Sequence, residues 1–243
     1  MHKHYFYVPD QNQEKEEVKI EGQEYRHCCR SLRKTKGSEI IIFNGTGQKK
    51  RVEITEEGHD CAYAKVLEEL PEENRVKPQI DLGFGIVRNK AIKKLIKPAT
   101  VMEVEKIHPI TMENCIKDNF NEDKVRRYSI QAAKQSGSSY LPNFSEVLQK
   151  QEWFNLTQDS NLKLIPVQSS NNALFEVLDK FDANEVNKIS IMVGPEGGFT
   201  EDEIETAQDQ RYIPTNLFTK RLRTELAVTN ILSGIYHYYH KKW

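Results

Sequence analysis

Short alternations of apolar and polar residues fill the first part of the chain, as in Glu39–Phe43 and Arg51–Thr55, and turns such as Asn44-Gly45-Thr46-Gly47 join them. That period of two predicts a small β domain over residues 1–72. Residues 71–78 are charged, bracketed by Pro71 and Pro78 and poor in core residues, which marks the boundary to a second domain over 73–243. Beyond it the pattern changes to strand over Ile80–Phe84, helices over Lys90–Val101 and Arg126–Gln135, and strand over Leu162–Val167. Two further strand-then-helix units complete the chain. The class expected is α/β, with a β domain in front.

The first of those units reads ISIMVGPEGGFTEDE from Ile189 to Glu203. A β-branched apolar run breaks into Gly194-Pro195-Glu196-Gly197-Gly198, and a helix follows, signalled by Thr200 and Glu203 at capping-box spacing. Strand, glycine turn and capped helix bring backbone polar groups to the carboxyl edge of a sheet, where α/β proteins bind small ligands. The same spacing also suits a plain tight turn. A phosphate-binding P-loop is excluded by the missing Gly-Lys-Ser/Thr ending, and a dinucleotide loop by the missing G-x-G-x-x-G and the acid at 196. The second unit has a strand-like stretch over Tyr212–Phe218, the sequence FTKRLRTE over 218–225, and an apolar helical pattern at Leu226, Ile231, Leu232, Ile235 and Tyr239. Thr224 is the expected cap of that helix, which sets Arg221 and Arg223 in the turn before it.

The chain has 243 residues, enough for one large or two small domains. Its apolar runs are far shorter than the ~20 residues a bilayer helix needs, and its start lacks an apolar signal core, so a cytoplasmic protein is expected. Cys28, Cys29, Cys61 and Cys115 contain no C-x-x-C pair and read as free thiols. His237 and His240 share a helical face but suggest no third ligand, so no metal site is expected. The formal net charge is −1. Cations nevertheless cluster at Arg30, Arg33, Lys34 and Lys36, at Lys49–Arg51, at Arg88, Lys90, Lys93, Lys94 and Lys97, and at Lys124, Arg126 and Arg127. Each cluster suits either a solvated face or a nucleic-acid patch.

GPEGGFTEDE at 194–203 and RLRTE at 221–225, with AVTNIL after it, resemble the RsmE family of 16S ribosomal RNA uridine N3-methyltransferases, of the SPOUT class. The resemblance is strongest over the last third of the chain. It continues more weakly through His27, Leu32, Arg33, Gly37 and Phe43-Asn44-Gly45, and through Gln131–Ser136 with Pro142. It implies a PUA-like N-terminal β-barrel, a C-terminal α/β domain with a trefoil knot, S-adenosylmethionine (SAM) as methyl donor, and ribosomal RNA or the small subunit as partner. It further implies a homodimer.

On this resemblance the cofactor is expected against Val167, Gln168, Val193, Gly194, Glu196, Gly197, Gly198, Leu217, Phe218, Leu222, Arg223 and Thr224. Arg223 is the expected stabiliser of charge on the uridine oxygens, because a fixed guanidinium presents paired donors. Glu225 and Glu196 are expected to position Arg223 or to act on the proton. Arg223 equally suits a structural ion pair with one of those acids. RNA contacts are expected from Arg30, Arg33, Lys34, Arg88, Lys90, Arg126 and Arg127.

Departures from the family pattern are specific. Thr100-Val101-Met102-Glu103-Val104 stands for Thr-Glu-Leu-Gly-Val, Pro98 is added just before it, Asn114 and Ser138 stand for arginines, and Lys134 stands for glutamate. These positions are expected on the RNA-facing side, with the cofactor turns intact. They leave a second reading open, a ribosome-binding or assembly factor that retains the fold without the reaction.

Overall fold

The computed structural model describes residues 4–13, 16–72, 74–116 and 120–240. Two compact units divide the chain, Met1–Arg75 with Ile130–Leu141 and Val76–Ser129 with Pro142–Trp243. Glu73, the first residue of the expected second domain, lies outside the described residues.

The first unit carries strands β1 (Tyr5–Tyr7), β2 (Glu17–Glu21), β3 (Glu39–Phe43), β4 (Lys49–Glu57) and β5 (Cys61–Glu69). They pair in the order β1-β3-β4-β5-β2, antiparallel except for β1 beside β3. Among the described residues this ladder has two ends, β1 and β2, so the barrel expected from the resemblance is in hydrogen-bond terms a five-stranded sheet. Alternation sets its core: Val18, Ile20, Ile40, Ile42, Val52, Ile54, Ala62 and Ala64 are buried on one face. The helical segment α1 (Gly22–Tyr25), continued as a wider turn to Ser31, adds Tyr25, Cys28 and Cys29 to that core. All four cysteines are free thiols, and burial pushes Cys28 up to about 12. Residues 130–141 join this unit through side chains that period alone does not reveal. Ala133 and Leu141 pack with Phe43, and Lys134 Nζ donates to Glu24 Oε2 at 2.7 Å. Lys134, expected toward RNA, is thus engaged inside the unit.

The rest of the chain runs β6 (Gln79–Gly85), α2 (Asn89–Val101), β7 (Lys106–Thr111), α3 (Glu122–Ser136), β8 (Asn143–Phe144), β9 (Leu148–Gln149), α4 (Lys150–Leu156), β10 (Leu162–Pro166), α5 (Leu174–Leu178), β11 (Lys188–Val193), α6 (Glu201–Asp209), β12 (Ile213–Thr215) and α7 (Thr224–Tyr239). The strands of the second unit form one parallel sheet, β12-β10-β11-β6-β7-β8, with β9 also on β7. Both faces are covered, which is why its strands read as nearly continuous apolar runs. Ile189, Ile191 and Val193 pack toward α2 and α7, while Met192 meets Trp153, Phe154 and Ala207 opposite. Pro98 sits inside α2 without ending it; the helix closes three residues later, where Met102 N–H donates to Pro98 O at 2.9 Å. The strand expected over Tyr212–Phe218 is only three residues long, because the chain after Thr215 turns to line a cleft at the sheet edge.

Candidate functional site

Strand order places the carboxyl ends of β12, β10 and β11 side by side. The turn after β11 is held from within and from outside. Gly198 adopts φ +81°, a conformation that only glycine takes without strain, and its N–H closes on Pro195 O at 2.9 Å. The predicted capping box is present: Glu203 N–H donates to Thr200 Oγ1 at 3.2 Å and Thr200 N–H to Glu203 Oε2 at 3.0 Å. Thr224 departs from expectation. Arg223 is the residue before the first turn of α7, and no side chain caps that helix. Instead the Thr224 hydroxyl donates to Gly194 O at 2.9 Å, tying the two turns together. Arg221 adds a second tie, Nη2 to Glu196 O at 3.1 Å.

Between these turns lies a cleft of about 590 Å³. Val167, Gln168, Val193, Gly194, Glu196, Gly197, Gly198, Leu217, Phe218, Leu222 and Thr224 all line it, and Arg223 does not. Pro195, Phe199, Ile204, Thr215 and Lys220 line it too. They were not expected there, since their only signal is adjacency to the motifs. Beside it a second cleft of about 610 Å³ is lined by Arg88, Lys90, Lys94, Arg223 and Glu225. Glu196, Arg221 and Leu222 line both and form the wall between them. Arg221 and Lys94, which the sequence placed only in a turn and in a cation cluster, are thus lining residues not singled out as site residues.

Charge pairing distinguishes the three expected catalytic residues. Glu196 faces Arg88, Oε2 to Nε at 3.7 Å, and the buried Glu225 faces Lys94, Oε1 to Nζ at 3.9 Å. The exposed Arg223 guanidinium makes no ion pair or hydrogen bond among the described residues, so the structural ion pair open from the sequence does not form. Both acids have other partners, and the guanidinium at the mouth of the basic cleft is available to a ligand.

The other expected RNA contacts are dispersed. Arg30, Arg33 and Lys34 belong to the first unit, with Arg30 over the Tyr25 ring at 5.5 Å and 3.5 Å from Glu57. Arg126 and Arg127 lie on α3, where Arg127 Nε donates to Asp123 O at 3.2 Å. Arg51 is bound between Glu39 at 3.0 Å and Glu68 at 2.9 Å, which makes its cluster a paired lattice, not a cationic patch. Asn114, in a segment expected on the RNA-facing side, donates from Nδ2 to Gly198 O at 3.1 Å. No three His, Cys, Asp or Glu side chains group as a metal site among the described residues. Nor is any helix among them long and apolar enough to cross a membrane.

Together these features define an α/β protein with a cleft at the carboxyl edge of a parallel sheet, next to a second, cation-lined cleft. The pattern of the RNA methyltransferase domain matches residues 72–235 and that of the RNA methyltransferase PUA domain residues 20–67, so the chain belongs to the RNA methyltransferase domain family. The ribosomal RNA small subunit methyltransferase E of Synechocystis is 26% identical over 226 residues, covering 90% of this chain and 72% of that protein. The protein of the same name from Bacillus subtilis is 22% identical over 227 residues, covering 89% and 88%. A crystal structure of the Neisseria gonorrhoeae protein of that name, bound to S-adenosyl methionine, superposes with a TM-score of 0.82 at 24% identity, covering 96% of this chain and 97% of that one.

Proposed function

We propose that the protein is an SAM-dependent methyltransferase acting on N3 of a uridine in small-subunit ribosomal RNA. The observation that carries this reading is the pair of adjacent clefts sharing the wall of Glu196, Arg221 and Leu222. A group can pass between two ligands only if they meet, and the first cleft has the size and mixed apolar and backbone lining of a cofactor pocket. Val167, Val193, Leu217 and Leu222 offer apolar surface, and the Gly194–Gly198 backbone offers hydrogen bonds, which fits SAM. The cations of the second cleft suit a nucleotide.

When bound, SAM supplies an electrophilic methyl group on a sulfonium that departs as a neutral thioether. The residues then have three tasks. The turns after β10, β11 and β12 would hold the donor against the acceptor and exclude water. Arg223 donates to the uridine O2 or O4 oxygen as negative charge spreads there on loss of the N3 proton. Glu225 or Glu196 accepts that proton or steers the guanidinium.

The same reading takes the second unit as a SPOUT-type domain with a trefoil knot, supported by the convergence of three βα turns on one edge. It takes the parts of the chain at 1–72 and 73–243 as the docking and catalytic domains. Arg30, Arg33, Lys34, Arg88, Lys90, Arg126 and Arg127 are its RNA contacts. A homodimer is supported by the exposure of Phe218 and Leu226, 52% and 53%, beside the site. Calorimetric titration with SAM, then mass analysis of nucleosides from small-subunit RNA incubated with enzyme and SAM, tests the reading. A new 3-methyluridine is the expected result. SAM binding without any new methylated uridine would leave an assembly factor, and no SAM binding would overturn the cofactor assignment.

A further inference from the structure

The turn after β7 reaches the glycine turn from behind. Cys115 anchors it: the thiol sulfur accepts from Ile86 N–H at 3.0 Å and Met112 N–H at 3.3 Å, so the ends of β6 and β7 share one hub. From this turn Glu113 N–H donates to Glu203 Oε1 at 3.0 Å. The Glu203 carboxylate is the acid of the capping box, its side chain is 1% exposed, and it also receives Lys150 Nζ at 3.1 Å. One residue on, Asn114 Nδ2 donates to Gly198 O at 3.1 Å. A Cβ added to Gly197 would lie 2.6 Å from Asn114 Cβ, so Gly197 packs against Asn114 with no room for a side chain. Asn114 lines neither cleft.

We propose that Asn114 is a positioning residue for the cofactor, a strap that fixes the Gly197–Gly198 peptides from the side away from the ligand. The proposal rests on the reading that the first cleft binds SAM. The family pattern has arginine at this position. Here the shorter carboxamide donates to the turn itself and spends its polar group on the cofactor wall, not on RNA. Gly198, with φ +81°, sits in a backbone conformation whose carbonyl has no regular partner in a helix or sheet, so an external donor is what holds that carbonyl in one orientation. Preorganised loops bind more tightly because less ordering is left for the ligand to impose.

The test is SAM calorimetry and steady-state methylation of small-subunit RNA with the full chain and the variants Asn114→Ala, Asn114→Asp and Asn114→Gln. Asn114 is exposed, so these variants fold. Asn114→Ala is expected to raise the SAM dissociation constant and the KM for SAM by roughly 3- to 10-fold, the value of one hydrogen bond. Asn114→Asp, which sets a carboxylate against the carbonyl, is expected to do at least as much, and Asn114→Gln to recover part of the loss. The kcat at saturating SAM and the KM for RNA stay within about twofold in all three. A merely structural role would lower the unfolding temperature and leave the KM for SAM unmoved. Binding of SAM by Ala and Asp variants within twofold of wild type overturns the proposal, as does a loss confined to kcat or to the KM for RNA. If the wild-type protein itself fails to bind SAM, the cofactor reading falls first and the strap with it.

Discussion

The hydroxyl of Thr224 donates to the carbonyl of Gly194 across 30 residues of chain, at 2.9 Å and out of solvent. This bond joins the start of α7 to the end of β11 and so sets the width of the cleft between the two turns. Replacing threonine by the isosteric valine leaves a buried carbonyl without its donor, which costs about 1 to 3 kcal/mol. Thr224→Val is therefore expected to lower the denaturant midpoint and to weaken SAM binding together, while Thr224→Ser retains both. Equal stability of the Val and Ser variants would show that the bond contributes nothing.

Arg223 carries the next expectation, because it faces the basic cleft with no ion pair to an acid. Removal of one oriented donor to a developing oxyanion typically costs ~10²- to 10³-fold in rate. Arg223→Ala is expected to lower single-turnover methylation by that order with the SAM dissociation constant within about threefold of wild type. Arg223→Lys recovers little, since an ammonium lacks the planar fork. A near-normal rate for Arg223→Ala would remove it from the chemistry.

What could be read from the residue order divides by range. The β unit follows from alternation, since two residues spaced by one in each of β2, β3, β4 and β5 are buried on one face. The capping box of Thr200 and Glu203 closes within four residues and is readable for that reason. Thr224 carries the same local signature, a polar residue ahead of an apolar helix, yet its hydroxyl is claimed by a carbonyl that only the sheet order brings near. Asn114 and Lys134 are similar cases. Each lies in a segment expected on the RNA-facing side, and each side chain bonds to a partner 84 or 110 positions away. Long-range pairing of polar side chains leaves no periodic trace, and this is where reading by pattern fails.

Glu103 is one such departure with a measurable energy. It stands where the family pattern has glycine, and its φ of +55° shows why glycine suits the site. A non-glycine residue in that conformation costs about 1 to 2 kcal/mol, while the bond from Val76 N–H to Glu103 Oε2, 3.1 Å, returns about 1 kcal/mol. Glu103→Ala, which keeps the strain and loses the acceptor, is thus expected to be less stable than Glu103→Gly, which loses the acceptor and relieves the strain, by about 1 kcal/mol. An Ala variant as stable as the Gly variant would show that the backbone conformation carries no cost.

His108 gives the protein an acid-sensitive element that lines neither cleft. Its ring is buried against Trp153 at 5.3 Å, with Nδ1 at 2.8 Å from Ser145 Oγ. Burial, reinforced by the positive charges of Lys106 and Lys188, lowers its pKa to about 4 from the ordinary 6.5. Between those two values the unfolded chain takes up a proton that the folded protein refuses. The stability linked to neutral His108 is therefore complete above about pH 6.5 and is lost progressively toward pH 4, to a total of roughly 3 kcal/mol. Asp81, raised by burial, contributes with the opposite sign at the acidic end, so the informative quantity is the difference between wild type and a variant that does not titrate. Urea midpoints of wild type and His108→Gln, measured from pH 4 to 8, are expected to lie a constant interval apart above pH 6.5 and to converge below it. Parallel curves across the whole range would mean that His108 titrates alike in the folded and unfolded chain.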